Sequence, residues 1–277
     1  MKHDVKLLGF DLDGTLLTTQ KEFTAYSKRV LSRAVEKEIE ILPVTGRPLC
    51  GLPEELTGFP GIHYAITANG ARIMDLRRGT TLRERLVPVP VAEKILHIFE
   101  RYDTLREIYY DGIGYAQREA LEQIRHFFPV SPMAGYVTST RLPVEDLWQK
   151  FREENRAVDK LQGVFADVRE REAALKELNS VAGIEATGSL SNNIEVNLSG
   201  VNKGEALLWL GERLGIPAGK IMAFGDGGND MALMRYEGIS VAMLNGREDI
   251  KAAADYVTEE SNDADGMARF IERYVME

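Results

Sequence analysis

Two aspartates, Asp11 and Asp13, interrupt the apolar stretch LLGFDLDGTLL of residues 7–17, and Gly14 follows at once. Carboxylates at the end of an apolar run are costly, because an unpaired buried ion pays a large desolvation penalty. Spaced two apart on extended chain, their side chains face the same side. Together they suit a hard cation such as Mg2+, which takes oxygen ligands; the alternative is a solvated turn that ends a strand. A second pair, Asp226 and Asp230, lies four apart in GDGGND, near enough to share a site where chain turns into helix. Read alone, that stretch also suits a glycine-rich turn with Asn229 or Asp230 as helix cap. The opposite polarity comes from two other places. The hydroxyl of Thr45 and the amide of Gly46, in TGR, can donate to phosphate oxygens, although Thr45 also suits a cap before Pro48. Lys203, in VNKGEALL, opens a helical pattern. Its charge opposes the helix dipole there, a mismatch that a bound anion removes; the alternative is a flexible surface lysine.

The elements that must position these residues alternate in type. Residues 5–10 read as a buried strand, 24–38 as a helix, 39–45 as a strand ending near Pro43, and 64–67 as a strand that turns at Asn69-Gly70 into a partner over 71–76. Strand, helix, strand, helix predicts a parallel sheet with helices on its faces. The rhythm changes after about residue 87. Strands flanking Asp111-Gly112, helices over 119–127, 144–153 and 167–179, and strands over 158–166, 183–188 and 193–197 suggest an α+β unit. From Asn202 the first rhythm returns, with a helix over 203–215, a buried strand IMAF before GDGGND, and further strands ISVAM and DYVT. The expectation is therefore an α/β, Rossmann-like core of residues 1–86 and 190–277, interrupted by an inserted α+β cap of residues 87–189. Asp11 then lies just past a strand's carboxyl end, where open α/β sheets bind ligands.

Composition narrows the classes. A net charge of −9 without basic runs argues against a nucleic-acid or membrane-surface binder. Cys50 is the only cysteine, so no intramolecular disulfide and no cysteine metal cluster can form. Apolar stretches fall short of the roughly 18 residues that span a bilayer. The first residues lack a signal-peptide core, which predicts a cytoplasmic protein. The four histidines lack metal-ligand spacing. Tyr109, Tyr110, Tyr115, Phe127 and Phe128 read as core.

In order along the chain, DLDGTLL, TGR, NKG and GDGGND resemble the haloacid dehalogenase-like hydrolase superfamily. ITANGA, VAMLNG and the position of the insertion resemble its Cof-type branch with a large α+β (type IIB) cap. Gly227-Gly228, and Leu244 and Gly246 in VAMLNG, depart slightly from the pattern and touch no charged role. The resemblance implies Mg2+-dependent hydrolysis of a small phosphorylated metabolite, such as a sugar phosphate. It makes Asp11 the nucleophile that forms an aspartyl-phosphate, and Asp13 the acid and then base. It implies metal ligands on Asp11, Asp226 and the Asp13 carbonyl, with Asp230 in or beside that shell. The Leu12 and Gly46 amides, Thr45, Lys203 and Asn229 would hold the phosphoryl group, and the cap would select the leaving group. Arg47 stays open between substrate contact and surface ion pair. With a free aspartate ionising near pH 3.9, Asp11 is expected to be ionised at neutral pH without a separate base. Two other readings share these residues: a phosphomutase or phosphotransferase using the same aspartate, and a non-catalytic protein that binds phosphometabolites. A dehalogenase has no need of Asp13. The intact charged set argues against the non-catalytic reading.

Overall fold

Leu7, Leu8 and Phe10 are wholly buried, as the apolar run around them requires of a strand covered on both faces. In a computed structural model that describes residues 3–130 and 132–276, the strand Leu7–Phe10 pairs in parallel with Ile221–Gly225 on one side and Glu40–Pro43 on the other. Ile239–Ala242 and Tyr256–Val257 extend the sheet beyond Ile221–Gly225, so all five strands are parallel. The chain thus leaves its first strand toward one edge and later returns on the opposite side. The crevice of such an α/β sheet opens where the order reverses, at the carboxyl ends of Leu7–Phe10 and Ile221–Gly225.

Local chemistry sets the flanking helices. Thr24 caps Ala25–Glu36 by accepting the Ser27 amide, and Asn202 caps Lys203–Arg213 by accepting the Glu205 amide. Ala206, Leu207 and Leu210 on the second helix pack on Leu7, Leu42, Val44, Ile221 and Ala223 of the sheet. Pro43 closes its strand, as its missing N–H predicts. The hairpin of Tyr64–Thr67 and Arg72–Asp75 forms as expected, around residues 68–71. These elements make up one unit, which takes in the chain to Gly46, Leu52–Arg83 and everything from Asn202.

The second unit holds Arg47–Gly51 and Glu84–Val201. Its six-stranded sheet is antiparallel except for the last pair: Ile184–Thr187, Asn193–Leu198, Lys160–Phe165, Thr104–Tyr110, Ile113–Gln117 and Arg141–Val144, in spatial order. Asp111 and Gly112, both at positive φ, close the central hairpin. Helices Val89–Phe99, Leu147–Glu154 and Val168–Leu178 cover the face that carries Ile108, Tyr110, Leu161, Phe165, Ile194 and Val196. Of the five cap aromatics read as core, Tyr109, Tyr110, Phe127 and Phe128 are buried and Tyr115 is half-buried.

Three features differ from the sequence reading. The return to the first unit falls at Asn202 rather than residue 190, because Asn193–Leu198 pairs with Lys160–Phe165 in the cap sheet. The helix read over 119–127 is two short ones, Arg118–Glu122 and Ile124–Phe127, broken at Gln123. Val89–Phe99 forms a helix that the sequence reading does not include, with Pro88 at its cap and Pro90 at its second position, where proline is tolerated. Among the described residues no helix is long and apolar enough to cross a membrane.

Candidate active site

Phe10 and Phe224 are register partners, and the Asp11 amide donates to the Phe224 carbonyl at 3.0 Å. Two adjacent strands therefore end side by side, and each hands its next residues to the crevice. From one come Asp11, Leu12 and Asp13; from the other come Asp226 to Asp230. The close approach explains the glycines. Gly14 has φ +80°, and a Cβ there would lie 2.4 Å from a carboxylate oxygen of Asp226. A Cβ on Gly225 would lie 2.5 Å from the carboxyl carbon of Asp230.

Oxygens of Asp11, Asp226 and Asp230 all lie within 4.8 Å of one another. Lys203 is wholly buried among them and donates to Asp11 Oδ1 at 2.7 Å and to Asp230 Oδ1 at 2.6 Å. Its charge at the helix start is thus met by two carboxylates, and it is no flexible surface lysine. Asp230 Oδ2 accepts the Asp226 and Gly227 amides at 2.9 Å each. Asp230 thus closes the glycine-rich turn and pairs with Lys203, and it makes no side-chain cap hydrogen bond to the helix that starts at Met231. Asp226 Oδ1 accepts the Thr15 hydroxyl at 3.0 Å. The second oxygens of Asp11 and Asp226 have no protein donor among the described residues.

Three carboxylates share one ammonium, and the surplus negative charge is expressed in their acidities. Burial, with the charges of Asp230 and Asp13 adding to it against Lys203, pushes Asp11 up to about 7. Burial, with the charges of Asp230 and Asp11 adding to it, holds Asp226 well above the carboxylate range. Burial works against the Lys203 charge, but Asp11 and Asp230 outweigh it and keep the ammonium protonated. The expectation that Asp11 ionises freely at neutral pH is therefore corrected: burial and the neighbouring carboxylates oppose its ionisation, which added positive charge would favour. The fit to a hard cation follows from the same facts. Asp11 and Asp226 each keep an oxygen without a protein donor in a partly buried, over-acidic cluster, and an oxygen-seeking divalent ion suits such a cluster.

Asp13 is half-buried, and Lys21 donates to its Oδ1 at 2.6 Å. Leu12 is buried, and neither its N–H nor that of Gly46 donates to a protein acceptor among the described residues. Thr45 is buried, with its N–H on the Ile66 carbonyl and its carbonyl accepting the Asn69 amide. Asn229 is buried and donates from Nδ2 to Asn69 Oδ1 at 3.1 Å. Arg47 is buried in the second unit, donating to the Gly51 carbonyl at 3.0 Å with its guanidinium 4.4 Å from the Tyr136 ring centre. Thr15, Lys21, Asn69 and Asn245, which donates to the Gly14 carbonyl at 2.8 Å, were not singled out in the sequence. Thr15 stands inside DLDGT and Asn69 inside ANG; Lys21 and Asn245 carry no local signal.

Comparison with known proteins points to one family. A profile described as haloacid dehalogenase-like hydrolase matches residues 8–271. The 5-amino-6-(5-phospho-D-ribitylamino)uracil phosphatase YcsE of Bacillus subtilis is 30% identical over 276 residues, 99% of this chain and 97% of that protein. A haloacid dehalogenase-like hydrolase from B. subtilis superposes with a TM-score of 0.86 at 27% identity, covering 98% of this chain and all of the other. A subclass IIB sugar phosphatase of the same superfamily shares the fold with a TM-score of 0.82 at 23% identity, covering 98% of this chain and 99% of that one. The chain belongs to the haloacid dehalogenase-like hydrolase family and is an enzyme of its phosphatase branch.

Proposed function

We propose that this protein hydrolyses small phosphate monoesters, of the sugar- or polyol-phosphate type, with Mg2+ and through an aspartyl-phosphate on Asp11. The observation that carries the reading is the surplus of carboxylate over ammonium at the sheet's switch point, with donor-free oxygens on Asp11 and Asp226. Asp11, Asp226 and the backbone carbonyl of Asp13 would hold the ion, while Asp230 keeps Lys203 and the GDGGND turn in place. When bound, Mg2+ supplies positive charge that favours ionised Asp11 and offsets the repulsion between carboxylate and phosphate.

The chain's own groups do the rest. The Leu12 and Gly46 amides, the Thr45 hydroxyl, Lys203 and the Asn229 amide donate to the oxygens of the phosphoryl group. Asp11 Oδ2, the oxygen that Lys203 leaves open, attacks phosphorus in line with the departing alkoxide. Asp13 protonates that alkoxide, then takes a proton from the water that cleaves the acyl phosphate. Lys21 on Oδ1 fixes the Asp13 rotamer, so the same carboxyl group serves both steps. The polyol-phosphate class draws on the relative whose name specifies a phosphorylated ribityl compound.

The test is phosphate release from an aryl phosphate and from a panel of sugar, polyol and cofactor phosphates, with Mg2+ and with chelator. Turnover is expected with Mg2+ only, and Asp11→Asn is expected to lower kcat by at least about a thousandfold, the scale of losing a nucleophile. Unchanged turnover in Asp11→Asn would sink the mechanism.

A further inference from the structure

Ala68, Asn69 and Gly70 have φ of +49°, +59° and +103°, three successive residues in the left-handed region. A hairpin between Tyr64–Thr67 and Arg72–Asp75 does not require this, since an Asn-Gly turn reverses a chain with two such residues. Ala68 is the extra one, and alanine gains nothing from that conformation. Hairpin tips normally face water, yet Ala68 is 1% and Asn69 3% exposed. The turn is therefore folded inward, and a strained backbone held in place by its surroundings points to a function.

Two contacts show what the inward turn holds. The Asn69 N–H donates to the Thr45 carbonyl at 3.0 Å. Its side-chain Oδ1 accepts Asn229 Nδ2 at 3.1 Å. One residue thus ties the TGR loop to the GDGGND loop, which come from different strands. Gly70 lets the turn seat on the next element, because a Cβ there would lie 2.6 Å from the carbonyl of Asn202, the cap of the Lys203 helix. The acceptor on Asn69 also decides the orientation of the Asn229 amide. Nδ2 carries two protons; Asn69 takes one, and the amide is fixed with the other left for a ligand oxygen.

Resting on the phosphatase reading above, we propose that Asn69 is a positioning residue for phosphoryl binding, which aligns the Asn229 amide with Thr45 by its paired contacts. Asn69→Gly is the informative variant, since glycine accepts the left-handed backbone and keeps the N–H on Thr45 while removing the carboxamide that accepts Asn229 Nδ2. Wild type, Asn69→Gly, Asn229→Ala and the double variant are compared by kcat and KM on an aryl phosphate with Mg2+. The same set is compared by the rise in melting temperature that inorganic phosphate with Mg2+ produces. Asn69→Gly is expected to raise KM and weaken phosphate binding about tenfold, the scale of one hydrogen bond, without lowering the melting temperature of the free protein. In the Asn229→Ala background it is expected to add less than about twofold, because the two residues act as one unit. Effects that multiply in full, or an Asn69→Gly protein that binds phosphate like wild type, overturn the proposal. Inactive wild type that still binds phosphate would refute the phosphatase reading alone, and the binding comparison would still decide Asn69. Wild type that does not bind phosphate overturns both.

Discussion

Each unit buries one lysine among carboxylates, and the two clusters differ in charge balance. In the first unit Lys203 faces Asp11 and Asp230, with Asp226 beside them. In the second, Lys160 is 2% exposed and donates to Glu195 Oε2 at 2.8 Å and to Gln162 Oε1 at 3.1 Å. Glu195 Oε1 accepts from Ser189 and Asn193 as well. Nearby, Arg141 lies 3.2 Å from Glu107, which also accepts the Tyr109 hydroxyl. Two cations meet two carboxylates there. Burial pulls Lys160 below its usual range, whereas Lys203 is held above its own by the excess of carboxylates. A buried cluster whose charges balance supports a structure, even though Glu107 Oε1 and Arg141 Nε meet only as an ion pair without a hydrogen bond. One left with a surplus of carboxylate suits a cation.

Removing each lysine is the sharpest way to break that comparison. Lys203→Met is expected to abolish turnover and to cost about 3–5 kcal/mol in urea unfolding, as when one partner of a buried pair is removed. If it unfolds no more easily than wild type, the surplus charge is not held by Lys203. A smaller effect is expected from pH. The folded Asp11 ionises near 7 and the unfolded one near about 3.9, so between those values the folded state binds more protons. Stability in chelator should therefore fall as pH rises from about 4 to 7, and Asp11→Asn should make that slope shallower, the remainder coming from Asp226. Mg2+ should stabilise the protein more at pH 7.5 than at pH 5; equal stabilisation at both would count against a cation site on these carboxylates. The smallest effect belongs to Lys160→Met. Glu195 keeps its Ser189 and Asn193 donors, so the expected loss is about 1–3 kcal/mol. A loss as large as that of Lys203→Met would erase the distinction.

The residues around Asp11 were legible because their neighbours betray them. Apolar runs that end in aspartates, at Phe10-Asp11 and Gly225-Asp226, conflict with burial unless a site lies there. The parallel core was legible from the alternation of buried runs and amphipathic segments. What stayed hidden depends on distant partners. Asn69 read as an ordinary turn residue, and nothing local says that its turn folds inward onto Thr45 and Asn229. The strand Asn193–Leu198 looks the same whether it joins one sheet or another, so the return of the chain at Asn202 rather than 190 had no local mark.

By itself, then, the sequence determined which chemical groups are available, and that Asp11 and Asp13 stand at a strand end, because side-chain type and the two-residue repeat of extended chain are local properties. Tertiary structure decided how those groups ionise and which of them meet. It set Asp11 beside Asp226, more than two hundred residues away, and put Lys203 between Asp11 and Asp230. It also drove Asp11 to an acidity near neutrality. Burial and the distances between charges fix an acidity, and neither exists until the chain has folded.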